Sequence, residues 1–484
     1  MLENLKPKKV FKFFEEMSDI PRCSRDEKRI SDYLVKFAKE RNLEVIQDEY
    51  LNVIIKKPGS KGYENFSTVI LQGHMDMVCE KTKDSNHDFS KDPLKLIIDG
   101  DFVKADKTSL GADNGIAVAY CLAILDSDDI AHPPLEVFVT TDEETGMTGA
   151  ANLNPEHLKG KTLINIDSEE EGHLLVSCAG GLRDKFYIPV IKEKYDKTNH
   201  TAFLLEIEGL KGGHSGLDII KQRANANKLL GRILYEILND FEIKLISIEG
   251  GSKDNAIPRY AKSEFIINNK FVDKLEDVVK KYNSIFKNEF RVQDKDINVK
   301  LTNIENENEE SLNGEITNKV IYIINMIPHG INTMSKEIEN LVESSNNLGV
   351  LKTNEENIEI YCTLRSSVDS LKSNIHNKLE VIAKSLKVKI VSEAPYPSWQ
   401  YNPESKIREI FENVHEKMTG KKPSIDAIHA GLECGMFAEK LGNIDMISFG
   451  PNMFDVHSPD EKLSISSTER VWEYLLEVLK NIKY

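Results

Sequence analysis

No run in the 484-residue chain approaches the roughly 18 consecutive apolar residues that a membrane-spanning helix needs. The start, Met1 to Lys9, leads into an amphipathic segment and lacks the apolar centre of a signal peptide. Cysteine is scarce: six residues (23, 79, 121, 178, 362 and 434) with no C-x-x-C spacing. Several lie in apolar runs, so reduced, mostly buried thiols in a cytoplasmic protein are expected. Positive charge is also short, with 63 basic against 79 acidic residues and a net charge of −16. That argues against nucleic acid or an anionic membrane as partner. No strand-like run is followed by Gly-x-Gly-x-x-Gly, which excludes a dinucleotide-binding dehydrogenase. What remains is a soluble globular composition, 40% hydrophobic and 29% charged, on a chain long enough for two or more domains.

Chemistry-bearing residues concentrate between Gly73 and Asp167. Thr68 to Gln72 reads as a strand that breaks into Gly73-His74-Met75-Asp76. Gly111-Ala112-Asp113-Asn114-Gly115 opens an apolar helix that runs to Leu125. Leu135 to Thr141 reads as a buried parallel strand ending in Asp142-Glu143-Glu144, and Thr162 to Asp167 as another ending in a carboxylate. Ligands of α/β proteins collect at such strand ends. His74, Asp113, Glu144 and Asp167 are N/O ligand candidates suited to zinc, manganese or cobalt. For any one of them, capping a strand or helix is the simpler account. Crowding three carboxylates at 142–144 costs repulsion unless cations offset it, which favours a binuclear metal hydrolase for the set. Of the adjacent pair, one carboxylate can bind metal while its neighbour takes a proton from water. His457, beside Pro459 and beyond the last strand, is the fifth ligand candidate.

Around this stretch, residues 8–20 have helical spacing, Pro21 to Ser24 stops that helix, and Ser24 with Glu27 predicts a capping box for a helix at 25–41. Arg22 and Arg25 read as solvated helix-end charges. Near Lys185 the composition shifts. Strand Ala202 to Glu208, a glycine-rich loop with His214, a helix at 218–239, strand Ile243 to Glu249 and a polar turn with Asn255 follow. A similar order then predicts strand Lys319 to Ile327, helix Ser335 to Asn347 and strand Ile358 to Leu364. An internal duplication between about 198 and 386 would account for this, and unrelated strand orders would exclude it. Glu305 to Asn313 reads as an exposed loop. Arg365 is a candidate anion binder, since a guanidinium grips a carboxylate bidentately. After the stiff segment Pro395 to Trp399 the α/β pattern returns, with a helix at 405–418, Gly431 in a loop, strand Asp445 to Phe449 and a final helix at 467–480.

Taken together, Gly-His-Met-Asp (73–76), Gly-Ala-Asp-Asn-Gly (111–115), Glu-Glu-Thr-Gly-Met-Thr-Gly-Ala (143–150), Asn-Ile-Asp-Ser-Glu (165–169) and His-Ser-Pro-Asp-Glu (457–461) resemble the M20 zinc metallopeptidases. Within that family the match is to the aminoacyl-histidine dipeptidase group, over nearly the whole chain. The resemblance implies two divalent cations per subunit, zinc foremost with cobalt or manganese as alternatives. One would sit on His74 and Asp167, the other on Glu144 and His457, with Asp113 bridging. Asp76 would orient His74, Glu143 would be the general base, and His214 would stabilise the oxyanion. Asn255, Arg365 and Gly431 would hold the substrate's carboxylate or backbone. The implied fold is an α/β catalytic domain, residues 1–186 and 396–484, with a mixed, mostly parallel sheet flanked by helices. An α+β lid, 187–395, would interrupt it. The implied reaction is hydrolysis of dipeptides, with the Xaa-His type, β-Ala-His included, preferred. A broader di/tripeptidase, aminoacylase or deacetylase is the alternative within enzymes, and a non-catalytic binding protein the alternative outside them. The setting would be cytoplasmic, with a small peptide as partner, no nucleic acid and no membrane, and a homodimer as the assembly to test. Asp142 departs from the Glu often found there in related chains, a conservative change outside the proposed ligands.

Overall fold

The computed structural model describes residues 1–306 and 309–484. Strands Val69–His74 and Leu135–Thr140 are buried along their whole lengths. Such continuous apolar runs suit parallel strands covered on both faces. They pair in parallel with each other, and Val69–His74 also pairs in parallel with Thr162–Asn165, which does the same with Asp445–Ser448. Antiparallel strands flank this centre, completing an eight-stranded mixed sheet. Helix Ala112–Leu125 is buried at every position, as its all-round apolar sequence requires. It packs against strand Val69–His74 and helix Lys8–Ser18.

The chain divides into two compact units. Met1–Ser177, Trp399–Ala427 and Leu432–Tyr484 make the first; Cys178–Ser398 and Ile428–Gly431 make the second. In the first unit two expectations, a helix cap and the state of the thiols, fail first. The Ser24–Glu27 capping box does not form. Helix Lys28–Glu40 has Glu27 as its N-cap without a side-chain cap bond. The Glu27 carboxylate accepts the amides of Arg25 and Asp142, and the Ser24 hydroxyl goes to Asp76. The thiols are not all reduced either. Cys23 and Cys79 form a disulfide with Cα atoms 5.7 Å apart, brought together by a backbone bridge between Cys23 and Met77. Cys121, Cys178, Cys362 and Cys434 lie outside it and are buried.

The second unit is a sheet with helices on it, built from two halves. In chain order the first half has strands His200–Glu208, Ile243–Gly250, Ala261–Asn268 and Asn298–Ile304 with helices Ala226–Asp240 and Val272–Glu289. The other has strands Gly180–Pro189, Val342–Thr353, Asn357–Ser366 and Lys389–Tyr396 with helices Gly314–Met326 and Asp369–Leu386. Both are βαββαβ units, and in both the strands lie side by side in the order fourth, first, third, second. The second strands of the two halves pair, Glu249 with Lys352 and Gly250 with Leu351, joining the halves edge to edge. A duplication is therefore present, but it spans Gly180 to Tyr396 and not the expected 198–386, because the first half is inserted between the first strand and first helix of the other.

Four expected elements differ here. Of residues 319–327, expected as a strand, 319–326 belong to helix Gly314–Met326 and Ile327 is its C-cap; the helix buries Ile316, Val320, Ile323 and Ile324 on one face and is capped by Asn313. Residues 335–347, expected as a helix, run into strand Val342–Thr353. There buried Asn346 and Asn347 donate to backbone carbonyls. The helix expected at 218–239 starts at Ala226, after a short 3-10 turn. Of the loop expected at 305–313, Glu310–Leu312 is a strand paired with Lys192–Lys194, and positions 307 and 308 lie outside the described residues. No helix among the described residues is long and apolar enough to cross a membrane.

Candidate metal centre

Strand ends and one helix start carry the candidate ligands. His74 closes strand Val69–His74, Glu143 and Glu144 open a single helical turn just past Leu135–Thr140, and Asp167 lies just past Thr162–Asn165. Asp113 sits in the first turn of Ala112–Leu125, where it and Asn114 leave helical geometry. His457 lies in a turn after Met453–Phe454. All belong to the first unit. His74 Nε2 lies 3.1 Å from Asp113 Oδ1 and 3.5 Å from Asp167 Oδ1. On the other side, His457 Nε2 lies 3.0 Å from Asp113 Oδ2 and 2.9 Å from Glu144 Oε2. Asp113 thus gives one oxygen to each of two three-residue groups, His74–Asp113–Asp167 and Asp113–Glu144–His457, whose ligand atoms fall within 4.8 Å of one another. A further grouping of His74 with Glu143 and Glu144 satisfies the same distances. The pair sharing Asp113 is preferred, because it uses all five candidates and leaves Glu143 free beside them.

The donor set fits two divalent cations. Glu144 Oε1 and Asp167 Oδ1 are buried and accept no hydrogen bond, a costly arrangement that coordination would relieve. Burial alone would lower His74, but Asp167, Asp113 and Asp76 outweigh it and raise the imidazole well above its ordinary value. Hydrogen bonds with Asp113 and then Glu144 push His457 up to about 11. Asp167 is pushed up to about 6 by burial, with Asp113 and Glu144 adding to it. Burial, reinforced by Asp167, Glu433 and Glu144, likewise lifts Glu143 well above the carboxylate range. Excess negative charge that raises two imidazoles marks a site where cations can take the place of protons.

Asp76 is fully buried and ties the centre together. Its carboxylate lies 3.4 Å from His74 Nδ1 and accepts from Ser24 Oγ at 2.8 Å, Glu143 N at 3.1 Å and Glu144 N at 3.3 Å. Arg22, expected in solvent, is 2% exposed and donates to the carbonyls of Met75, Asp76 and Gly111. Arg25 does lie largely in solvent, 3.4 Å from Asp142. Asp142 itself turns to the hydroxyls of Thr145 and Thr148, outside the ligand set.

The profile described as "Peptidase family M20/M25/M40" matches residues 70–481. The chain belongs to this family. It is 38% identical over 481 residues to the cytosol non-specific dipeptidase of Escherichia coli (strain K12), covering 99% of each chain. Its fold matches the crystal structure of aminoacylhistidine dipeptidase from Vibrio alginolyticus with a TM-score of 0.96 and 39% identity, over 100% of this chain and 98% of that one. At 14% identity, the aminopeptidase PepT of Bacillus cereus shares the fold with a TM-score of 0.57, over 99% of each chain.

The remaining candidates of this M20 chain lie in the second unit. His214 is in a two-residue strand paired with Ala256–Ile257. Its Nδ1 accepts from the amides of Gly216 and Leu217, at 3.3 and 3.1 Å, which puts the ring proton on Nε2. Burial, then the charge of Arg365, pushes its pKa down, so the ring is a neutral donor. Asn255 is joined to this loop through its carbonyl, which accepts from Ser215 N at 2.9 Å. Arg365 is 6% exposed, donates from Nη1 to the Tyr396 hydroxyl at 2.7 Å, and has a buried Nε without a partner. Gly431 lies against the Tyr396 ring, where a Cβ would come within 3.0 Å of it. Sequence reasoning missed Tyr396 and the buried His429–Ser345 pair, 2.7 Å apart, which no local motif marks.

Proposed function

We propose that this M20 protein is a metallo-dipeptidase that cleaves the peptide bond of dipeptides, Xaa-His and β-Ala-His among them. The observation that carries this reading is the pair of ligand groups sharing Asp113, with the unused carboxylate of Glu143 beside them. The names of the two relatives above support dipeptides as the substrate class. On this reading His74 and Asp167 hold one cation, Glu144 and His457 the other, and Asp113 bridges. When bound, the two cations supply Lewis acidity toward water and the scissile carbonyl. Glu143 takes the proton of the attacking water and returns it to the leaving amine, a role that suits a carboxylate with a raised pKa. Asp76 fixes the His74 ring and, through two amides, the turn bearing Glu143 and Glu144. The neutral Nε2–H of His214, from the same chain or a second copy, is assigned to the developing oxyanion. Arg365, whose guanidinium has no carboxylate partner among the described residues, is assigned to the substrate carboxylate, with Asn255 and Gly431 against its backbone. Residues 187–395 are read as the lid. A cytoplasmic setting accompanies this reading.

A substrate panel tests it: β-Ala-His, Gly-Gly, an N-acetyl amino acid and a tripeptide, with the protein as purified, chelator-treated and reloaded with Zn²⁺. Dipeptides should be cleaved, chelation should abolish cleavage, and Zn²⁺ should restore it. Cleavage of the N-acetyl amino acid in place of the dipeptides would make the protein an aminoacylase or deacetylase. No hydrolysis with no bound metal would make it a binding protein.

A further inference from the structure

Asp113 is gripped at both ends by one short turn. His457 meets its side chain at 3.0 Å, and four residues later the carboxylate of Glu461 accepts its backbone amide at 3.2 Å. Glu461 is 2% exposed and also accepts the amides of Leu110, Gly111 and Ala112, at 2.7, 2.9 and 2.8 Å. These donors precede or open a buried helix, so no carbonyl within the helix can satisfy them. A carboxylate, with two acceptor oxygens and about four lone-pair directions, can take all of them at once. The turn is anchored in its own right, because Leu463 pairs with Val103 in the small sheet that follows it.

Arg22 completes the arrangement from the other side. Its Nη2 donates to Gly111 O at 2.6 Å, in the segment Glu461 holds, while Nη1 donates to Met75 O at 3.0 Å and Asp76 O at 3.3 Å, in the segment that follows His74. Gly111 admits the guanidinium: its φ is +66° and a Cβ there would lie 2.5 Å from Arg22 Nη2. One carboxylate and one guanidinium, neither a ligand candidate, therefore join the backbones that carry His74, Asp113 and His457.

We propose that Glu461, assisted by Arg22, is the positioning residue for the bridging carboxylate. It holds the Leu110–Asp113 backbone so that the two Asp113 oxygens face the two cation positions, and it ties that register to His457. The centre is thus preset for cations. This inference rests on the metal-centre reading above and deepens it. A carboxylate that merely capped a helix would stabilise the fold and leave cation affinity alone.

The test is titration of metal-free protein with Zn²⁺, and separately with Co²⁺, by calorimetry and visible absorption, with circular dichroism to verify folding. The variants are Glu461→Gln, Glu461→Asp and Arg22→Lys, with Asn313→Ala, a helix cap in the second unit, as a control that loses stability only. Glu461→Gln, which puts a donor where two amides need an acceptor, should weaken cation binding about 10- to 100-fold and shift the Co²⁺ bands. Glu461→Asp should recover part of the affinity and Asn313→Ala should leave it unchanged. Two cations bound by Glu461→Gln within twofold of wild-type affinity, with an unchanged Co²⁺ spectrum, would overturn the proposal. Should Glu461→Gln fail to fold, Arg22→Lys decides: several-fold weaker binding supports the proposal and unchanged binding overturns it. Fewer than two cations on the wild type would instead sink the metal-centre reading.

Discussion

Two carboxylates at the centre, Asp113 and Glu143, are assigned opposite tasks, and substitution separates them. Glu143→Ala should keep both cations and lose roughly 10²- to 10⁴-fold in kcat, the usual contribution of a general base. Asp113→Ala removes the oxygen pair shared by the two ligand groups and should lose metal outright. Metal content and kcat measured on both variants check this, and a fully active Glu143→Ala would remove Glu143 from its role. At this scale the sequence is most legible where chemistry and local structure coincide. His74, Glu144 and Asp167 each end or follow an apolar run, so type and place were both visible. Ser24, Arg22 and Glu461 were not visible as supports, because their partners are remote: Ser24 binds Asp76 across 52 positions and Glu461 binds Asp113 across 348. A serine and glutamate at capping spacing follow a local rule, and here a tertiary partner took the serine hydroxyl.

Among the elements, helix Gly314–Met326 shows how packing overrides propensity. Its isoleucines and valine favour strand by composition, yet Ile316, Val320, Ile323 and Ile324 recur at helical spacing and all are buried. The Asn313 side chain accepts from Ile316 N at 2.9 Å and fixes where the helix begins. Asn313→Ala should therefore cost about 1 kcal/mol of stability. Ile323→Ala, at a fully buried position, should cost about 2–5 kcal/mol. Urea unfolding of both variants checks these values, and a neutral Ile323→Ala would contradict the helical packing. Strand Val342–Thr353 is the converse case. Its polar start, Glu343 to Asn347, resembles a solvated helix, and only the paired strand Asn357–Ser366 and the carbonyls that receive Asn346 and Asn347 explain its burial. The parallel strands of the catalytic sheet needed no such help, since buried parallel strands are apolar throughout.

For the whole molecule, the two units have separate hydrophobic cores, one around helix Ala112–Leu125 and strand Val69–His74, the other around helices Ala226–Asp240 and Gly314–Met326. Chains of this kind depart from two-state unfolding. All five ligand candidates are in the first unit, so cations at 1,000 times their dissociation constant should stabilise that unit by about 4 kcal/mol per site. Scanning calorimetry with and without Zn²⁺ should show two transitions, with the shift concentrated in one. Equal shifts in both would mean that the units unfold as one.

The chain threading of the two units also sets an order of assembly during synthesis. The half-sheet spanning His200–Glu208 to Asn298–Ile304 is contiguous and can close as soon as it is made, whereas the half that carries Arg365 must wait for Lys389–Tyr396. The catalytic sheet is later still. Thr162–Asn165 has one side open until Asp445–Ser448 arrives, and His457 and Glu461 follow that strand. A nascent chain of this protein therefore presents four of the five ligand candidates and waits for His457, which follows strand Asp445–Ser448. On the proposed ligand assignment, the pair of cation positions is complete only once His457 has been made.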